Sequence, residues 1–322
     1  MVPAIPVKAM NRGIFSAGGV LVAMLVISVF SSCSPQKLMV AEMTGLMETG
    51  AAAMETDDDL DMLQQALPAN IKLMEALLAS DPQNERLLIL LARSYGSYAF
   101  LFLDGRIEAL QSAGPAAAAE TLPSLKARAV RYYGKGLDYA LRALEIRHPL
   151  AAERLHRVAE SSPFVQSLQV RDLPAIFWYG FNLGGLVNHS RDSVSTIARA
   201  HQVEKTMLRV LDLQADFYHG SAHLVLMAYY GSRSPMMGGN LERAAEHYRH
   251  LKDMHGDGLL LADLYYARYV LVQQQDRRQF EQMLEVITTN PDPDPQFRLF
   301  NRIARDRALV YQAMADRLFE GS

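Results

Sequence analysis

The chain has 322 residues, of which 50% are hydrophobic, with a formal net charge of −3 and a single cysteine. The near-neutral charge argues against a nucleic-acid partner, since phosphate recognition needs a basic surface. One cysteine excludes an intramolecular disulfide framework and a cysteine-based zinc cluster. The apolar fraction is too high for a disordered chain.

Residues 1–32 are predicted to be a secretory leader rather than part of the fold. Lys8 and Arg12 precede an uncharged run over residues 13–32 that is most apolar over residues 20–27. A positive segment followed by a short apolar one is the layout of a signal peptide. Met1 and Met10 are both candidate starts, and Met10 gives a leader of more ordinary length.

The leader ends at the only cysteine. Residues 30–34, Phe-Ser-Ser-Cys-Ser, resemble a bacterial lipobox. We therefore expect Cys33 to be acylated and to anchor the chain to a membrane. The following serine favours the outer membrane, with the body facing the periplasm. The alternative, an uncleaved transmembrane anchor, has an apolar core shorter than a span prefers. Palmitate should label the wild type and not Cys33→Ala, and an unlabelled wild type would contradict acylation.

After Cys33 the sequence predicts one helix after another. Apolar or small residues recur at helical spacing, as in Leu88, Leu91, Ala92 and Tyr95, and no hairpin dipeptide separates alternating apolar runs. Breaks fall near residues 81–84, 123–124, 234–240 and 290–295. We predict an all-α fold with a tether and first helix over residues 33–55 and one helical domain over residues 56–322. No segment after Cys33 is expected to be long and apolar enough to cross a membrane.

The positions of large and small residues also suggest tetratricopeptide-like repeats. Each such repeat is a pair of helices, and residues 88–95 fit the pattern of the first helix. In a later unit, residues 223–230 fit the first helix and residues 244–251 fit the second. Residues 136–143 fit the second-helix pattern but fall about 30 residues too late. Small residues at these points let helices approach closely. The prediction is a helical-hairpin solenoid of degenerate tetratricopeptide-like repeats, and the alternative is a generic helical bundle.

Four stretches carry a more specific pattern. The first runs from Ala66-Leu67-Pro68 through Asp81-Pro82 to Ala99, and the second is Phe177-Trp178-Tyr179-Gly180 followed by Gly184-Gly185. The third is Arg233-Ser234-Pro235 followed by Gly238-Gly239-Asn240. The fourth is Tyr266-Ala267-Arg268-Tyr269 together with the tail up to Phe319. This ordered set, with the lipobox, resembles the T-component family (TatT) of the tripartite ATP-independent periplasmic (TRAP) transporters over nearly the whole mature chain. Asn182, Asn188 and the alanine-rich residues 114–121 depart from the family pattern.

The resemblance implies a binding and interaction protein without enzymatic activity or a cofactor. Members of that family are periplasmic lipoproteins that associate with a TRAP substrate-binding protein and hold or receive a ligand, which we expect to be a hydrophobic small molecule. The expected partners are therefore that binding protein, the ligand and the membrane through the lipid anchor, with a homo-oligomer such as a trimer left open. The alternative is a tetratricopeptide-type scaffold lipoprotein of outer-membrane assembly, which needs no ligand.

Histidines offer the nearest approach to a metal site. His219 and His223 lie four residues apart, but no His-Glu-x-x-His pattern is present and His223 also fills a packing position. His247, His250 and His255 are close in sequence, and a helix end explains basic residues there. No nucleophile elbow or phosphate loop occurs. We predict no metal site and no catalytic residue.

Aromatic clusters are the candidate ligand groove. Three consecutive aromatic residues on one helix, 177–179, cannot all face the core, so at least one ring is expected to line a groove, and core packing is the alternative. Nearby arginines are candidates to pair with a ligand carboxylate. The groove candidates are Trp178, Tyr179, Tyr229, Tyr230, Arg233, Tyr266 and Arg268. Met236 and Met237, in a glycine-containing loop, are candidates for contact with a partner protein.

Overall fold

The structure is a computed structural model that describes residues 35–290 and 292–319, so the predicted leader and Cys33 lie outside the described residues. Within these ranges every regular element is helical and no strand occurs, which confirms the all-α prediction.

The helices are numbered here in chain order. They are α1 (Pro35–Ala53), α2 (Leu60–Ser80), α3 (Glu85–Tyr98), α4 (Gly105–Ala113), α5 (Pro115–Ala118), α6 (Leu122–Arg147), α7 (Ala151–His156), α8 (Val158–Ser167), α9 (Leu173–His189), α10 (Val194–Ile197), α11 (Ala200–Leu213), α12 (Phe217–Gly231), α13 (Leu241–His255), α14 (Leu260–Tyr266), α15 (Val272–Gln274), α16 (Arg277–Thr289), α17 (Arg298–Ala313) and α18 (Ala315–Phe319).

Short helical segments of other types connect some of these elements. The π-helical segments Ala99–Asp104 and Ala267–Leu271 join α3 to α4 and α14 to α15 without a break. A 3-10 turn, Met54–Thr56, follows α1. Several helices start at a polar N-cap, such as Asn84 before α3, whose side chain accepts a hydrogen bond from the backbone N–H of Leu87 at 3.0 Å.

Helices that follow one another in the chain pack side by side. Among the larger ones, α3, α6, α9, α11, α12, α13 and α14 each contact the next. The array also closes, because α17 contacts α14, α4 and the Met54–Thr56 turn. The last long helix therefore returns to the N-terminal part of the described chain. The tetratricopeptide-like register of these helices stays a prediction.

An ion pair between α17 and α4 is part of this closure. Arg307 is 5% exposed, and its Nε donates a hydrogen bond to Oε2 of Glu108 at 2.8 Å, while its Nη2 donates to the other carboxylate oxygen. The hydroxyl of Tyr311 donates to the same carboxylate at 3.1 Å. The guanidinium also lies over the ring of Phe100, 5.4 Å from its centroid. A buried cation needs such a partner, so this contact holds the two ends of the array together.

Three central helices approach closely around one buried amide. A Cβ atom added at Gly96 of α3 or Gly136 of α6 would lie 2.5 or 2.3 Å from Oδ1 of Asn182 on α9. Asn182 is 0% exposed, and its Nδ2 donates to the carbonyl oxygens of Ala92 at 3.1 Å and Trp178 at 2.7 Å. The asparagine that departs from the family pattern therefore links α9 to α3 in the core.

The continuous helix Glu85–Ala113 corrects one expectation. Among the described residues it is long and apolar enough to cross a membrane by length and composition, although we expected no such segment after Cys33. Its most apolar window is 67% buried inside the fold, and the helix packs against α6 and α9. Core helices meet the same criteria, so packing accounts for its apolar length.

Candidate functional site

An internal cavity lies between α2, α3, α9, α12, α14 and α17, with the end of α1 and the Met54–Thr56 turn on one side. About 90 Å³ of it admits the centre of a water-sized molecule. Its walls are largely apolar, with side chains such as Leu63, Phe177, Phe181, Leu261 and Phe300. This lining is typical of a site for an apolar small molecule.

The cavity is elongated along α3. Arg93, Ser94 and Ser97 of α3 and Leu101 of the following π-helical segment all line it. Eight residues of helix separate Arg93 from Leu101, which corresponds to about 12 Å. Arg93 and Glu55, the two charged residues of the wall, lie together at one end, so the cavity has one charged end and a long apolar side.

The charged end is fully paired. Nη2 of Arg93 lies 2.5 Å from Oε1 of Glu55 and 2.8 Å from the carbonyl oxygen of Ala51. Nε2 of His219 lies 3.2 Å from the other oxygen of Glu55. Burial alone would raise the pKa of Glu55, but the hydrogen bond from His219 and the charge of Arg93 outweigh it and lower the pKa. Glu55 therefore stays ionised and neutralises Arg93.

The backbone is strained at this end of the cavity. Tyr218, His219 and Gly220, in the first turn of α12, have φ angles of 48°, 57° and 67°. A left-handed conformation costs roughly 1–2 kcal/mol for each residue with a Cβ atom. Contacts compensate for it, because the Tyr218 ring lies 5.3 Å from the Trp178 ring and 5.3 Å from the guanidinium carbon of Arg93. Strain of this kind concentrates at functional sites.

The left-handed turn also corrects the histidine spacing argument. His219 and His223 do not share one regular helix face, because the backbone between them leaves the right-handed conformation at Gly220. His219 instead contacts Glu55, and His223 contacts His247, with 2.8 Å between their Nδ1 atoms. The described residues contain no group of three or more side chains arranged to hold a metal ion.

The pair His223 and His247 predicts a pH dependence of stability. Burial, followed by the nearby charge of other histidines, lowers the pKa of His223 to about 4 and of His247 to about 3. Both values lie below the ordinary 6.5, so the unfolded chain binds protons first as pH falls. The free energy of unfolding should be highest above pH 6.5 and fall by up to about 3 kcal/mol for each of the two histidines on the way to pH 4.

Urea unfolding between pH 7 and pH 4 measures this dependence. The double variant His223→Phe with His247→Leu should flatten the pH profile, because it removes both groups whose pKa is lowered. His156→Gln is the matched control, since His156 is exposed on α7, and it should keep the wild-type profile. A profile that is equally steep in the double variant would contradict this origin.

Of the predicted groove residues, Trp178 lines the cavity and the other six do not. Tyr179 and Tyr230 are each 1% exposed in the core. The Tyr179 hydroxyl donates to Oε1 of Gln202 at 2.7 Å, and the Tyr230 hydroxyl donates to Oε1 of Glu204 at 2.6 Å. Both hydroxyls are therefore engaged within the fold and do not face the ligand space.

The remaining groove candidates lie elsewhere on the helices. The guanidinium of Arg233 lies over the ring of Tyr229, 4.0 Å from its centroid, at the end of α12. Tyr266 stacks on Tyr248 with 4.2 Å between ring centroids. Arg268 lies over the rings of two other tyrosines. The structure brings Tyr229 and Arg233 together but does not join this set into the cavity wall.

The predicted partner loop is a 3-10 turn, Pro235–Met237, between α12 and α13. Met236 is 96% exposed and Met237 is 57% exposed. Their side chains are therefore accessible to another protein. Cys33 lies outside the described residues, so its acylation stays a prediction.

Sequence reasoning missed most of the polar groups of the cavity. Glu55, Arg93 and Tyr218 come from three separate elements, and neither motif nor spacing connects them. One signal was present. Arg93 directly follows the apolar run over residues 87–92 on a helix, and the residues on either side of it in the sequence are buried. A charged residue within such a run indicates a polar contact in the interior.

These observations define an all-α protein that surrounds an apolar cavity with one charged end. The model of the TRAP transporter T-component family matches residues 56–319, and the chain belongs to this family. This match confirms the resemblance found in the sequence. Members of the family are accessory components of transporters. The chain is also 25% identical over 278 residues, covering 82% of this chain and 81% of the relative, to an uncharacterized protein of Treponema pallidum (strain Nichols).

Proposed function

We propose that this chain is a lipid-anchored, periplasm-facing accessory component of a TRAP-type transport system. In this proposal it docks the substrate-binding protein of the transporter and holds an apolar ligand in the cavity. The observation that carries the proposal is a cavity with largely apolar walls in a chain that belongs to the T-component family. A ligand that fills such a cavity removes apolar surface from water, which favours binding by about 25 cal/mol per Å².

Three finer features belong to the proposal. Acylation of Cys33 would place the chain at the outer membrane, and the lipobox supports it. The packing of consecutive helices supports tetratricopeptide-like repeats. The exposed Met236 and Met237 support docking of the binding protein. Co-purification with the substrate-binding protein tests docking, and a failure of the two proteins to associate at micromolar concentration would contradict it. Native mass spectrometry tests whether the chain forms a homotrimer.

The second candidate is a scaffold lipoprotein of outer-membrane assembly. A scaffold needs an exposed surface and no internal ligand space. The paired charges and strained turn beside the cavity favour a ligand-binding role, because a scaffold would gain more stability from a filled core. Ligand binding therefore discriminates between the two candidates.

Trp178 provides a direct test, since it is the only tryptophan of the chain and it lines the cavity. The test uses the chain from Ser34 onward, which contains every described helix. Titration with 10-bromodecan-1-ol should quench Trp178 fluorescence saturably, because bromine quenches by contact.

Matched serine variants control the titration. Ser97→Phe fills the cavity and should weaken binding at least about tenfold, equivalent to about 1.4 kcal/mol. Ser195→Phe places the same ring on the exposed α10 and should leave binding unchanged. Quenching that does not saturate, or that Ser97→Phe leaves unchanged, would contradict a ligand site in the cavity.

A further inference from the structure

The cavity wall contains hydroxyl groups without a hydrogen-bond partner among the described residues. Ser94 and Ser97 face the cavity from α3, and Tyr265 faces it from α14. Ser94 is 9% exposed, and none of the three hydroxyls makes a hydrogen bond to another described residue. None of these hydroxyl oxygens is a fully buried unpaired atom, so each is open to the cavity and can bond water or a ligand there. These hydroxyls can therefore pair with the polar group of a ligand that enters the otherwise apolar cavity.

The charges of the wall indicate which polar group fits. Arg93 and Glu55 neutralise one another at 2.5 Å, and each has a second partner, the Ala51 carbonyl oxygen and His219 respectively. No unpaired cation therefore lines the cavity among the described residues. A carboxylate or phosphate entering here would leave water without gaining a counter-ion, and it would face the negative charge of Glu55.

We propose that the cavity selects an uncharged amphiphile, an alkyl chain with a hydroxyl or ester head, over a fatty acid or a phosphorylated lipid. This inference rests on the proposed function and names the class of its ligand. The alkyl chain lies along the apolar side, about 12 Å of helix from Arg93 to Leu101. The head exchanges hydrogen bonds with the hydroxyls of Ser94 and Ser97, next to the Arg93–Glu55 pair, and the pair stays closed.

The test compares two probes that share one chain and differ only in the head. Quenching of Trp178 is titrated at pH 8 with 10-bromodecan-1-ol and with 10-bromodecanoate, which is ionised at this pH. The wild-type chain should bind the alcohol at least about tenfold more tightly than the carboxylate. A carboxylate that binds as tightly as the alcohol, or more tightly, would overturn the proposal.

Two variants separate the cause from a general loss of structure. Glu55→Gln leaves Arg93 without its counter-ion and should raise carboxylate affinity until the tenfold preference disappears. Glu75→Gln removes a carboxylate that also bonds tyrosines and lysines but does not line the cavity, and it should keep the wild-type preference. An unchanged preference in Glu55→Gln would overturn the argument from paired charges.

A further double variant leaves every charge of the cavity wall unchanged. Ser94→Ala combined with Ser97→Ala should weaken alcohol binding about tenfold and leave the weak carboxylate binding unchanged. Equal loss for both probes would overturn the role of the hydroxyls. If neither probe quenches Trp178 of the wild type, the proposed ligand site fails and this inference fails with it, whereas quenching with the opposite preference contradicts only the head-group selectivity.

Discussion

Replacing Glu108 by alanine should lower the free energy of unfolding by about 3 kcal/mol, with a range of 3–5 kcal/mol for comparable pairs. The reason is the burial of its partner, since Arg307 is 5% exposed and would keep its charge without a counter-ion. The Tyr311 hydroxyl would lose its acceptor as well. Urea unfolding followed by circular dichroism measures the change.

An exposed ion pair provides the control for Glu108→Ala. Glu281 accepts from Nε of Arg277 at 2.7 Å on α16, and its side chain is 49% exposed. Exposed pairs contribute about 0–1 kcal/mol, so Glu281→Ala should have a small effect. Replacing both partners of the buried pair with apolar side chains should recover much of the loss. Equal effects of Glu108→Ala and Glu281→Ala would show that α17 is not held to α4 by this contact.

Gly136→Ala should also be strongly destabilising, by about 2–3 kcal/mol. The added methyl carbon would lie 2.3 Å from Oδ1 and 2.6 Å from Cγ of Asn182. Asn182 cannot withdraw without losing its hydrogen bonds to the carbonyl oxygens of Ala92 and Trp178. Either α6 moves away from α9 or those bonds break, and thermal and urea unfolding both report the loss.

Gly134→Ala is the matched control on the same helix. A Cβ atom at Gly134 meets nothing within 4 Å, and the residue lies inside α6. Alanine is a better helix former than glycine by about 0.8–1.0 kcal/mol, so this variant should be slightly more stable than the wild type. If the two alanine variants change stability in the same direction, close packing around Asn182 is not the cause.

Several elements of the fold were predictable because their causes are local. The apolar spacing around Leu88 and Tyr95 predicts the helix that the structure places at Glu85–Tyr98. The Pro- and Gly-containing segment at residues 234–240 predicts the break before α13. The spacing of His219 and His223 could not show that they lie on different faces, because Tyr218 begins a left-handed turn that local periodicity does not reveal.

The candidate site was predictable only at Trp178. Tyr179 lies next to it in sequence but points to Gln202, since neighbouring residues of a helix face directions about 100° apart. Phe177 and Trp178 line the cavity whereas Tyr179 does not, and this difference depends on the helices that surround α9. Exposure of Met236 and Met237 agrees with their position in a loop, and their contact with a partner stays a prediction.

The sequence by itself determined the helical class, the main breaks and the family, because helical periodicity, turn residues and ordered motifs are written within short stretches of chain. Only the tertiary structure decided the cavity, its charged end and the closure of the array. Arg93 pairs with Glu55 across 38 residues, and Arg307 pairs with Glu108 across 199 residues. Such contacts depend on how whole helices pack, and each helix is compatible with many neighbours until burial and charge pairing select one arrangement.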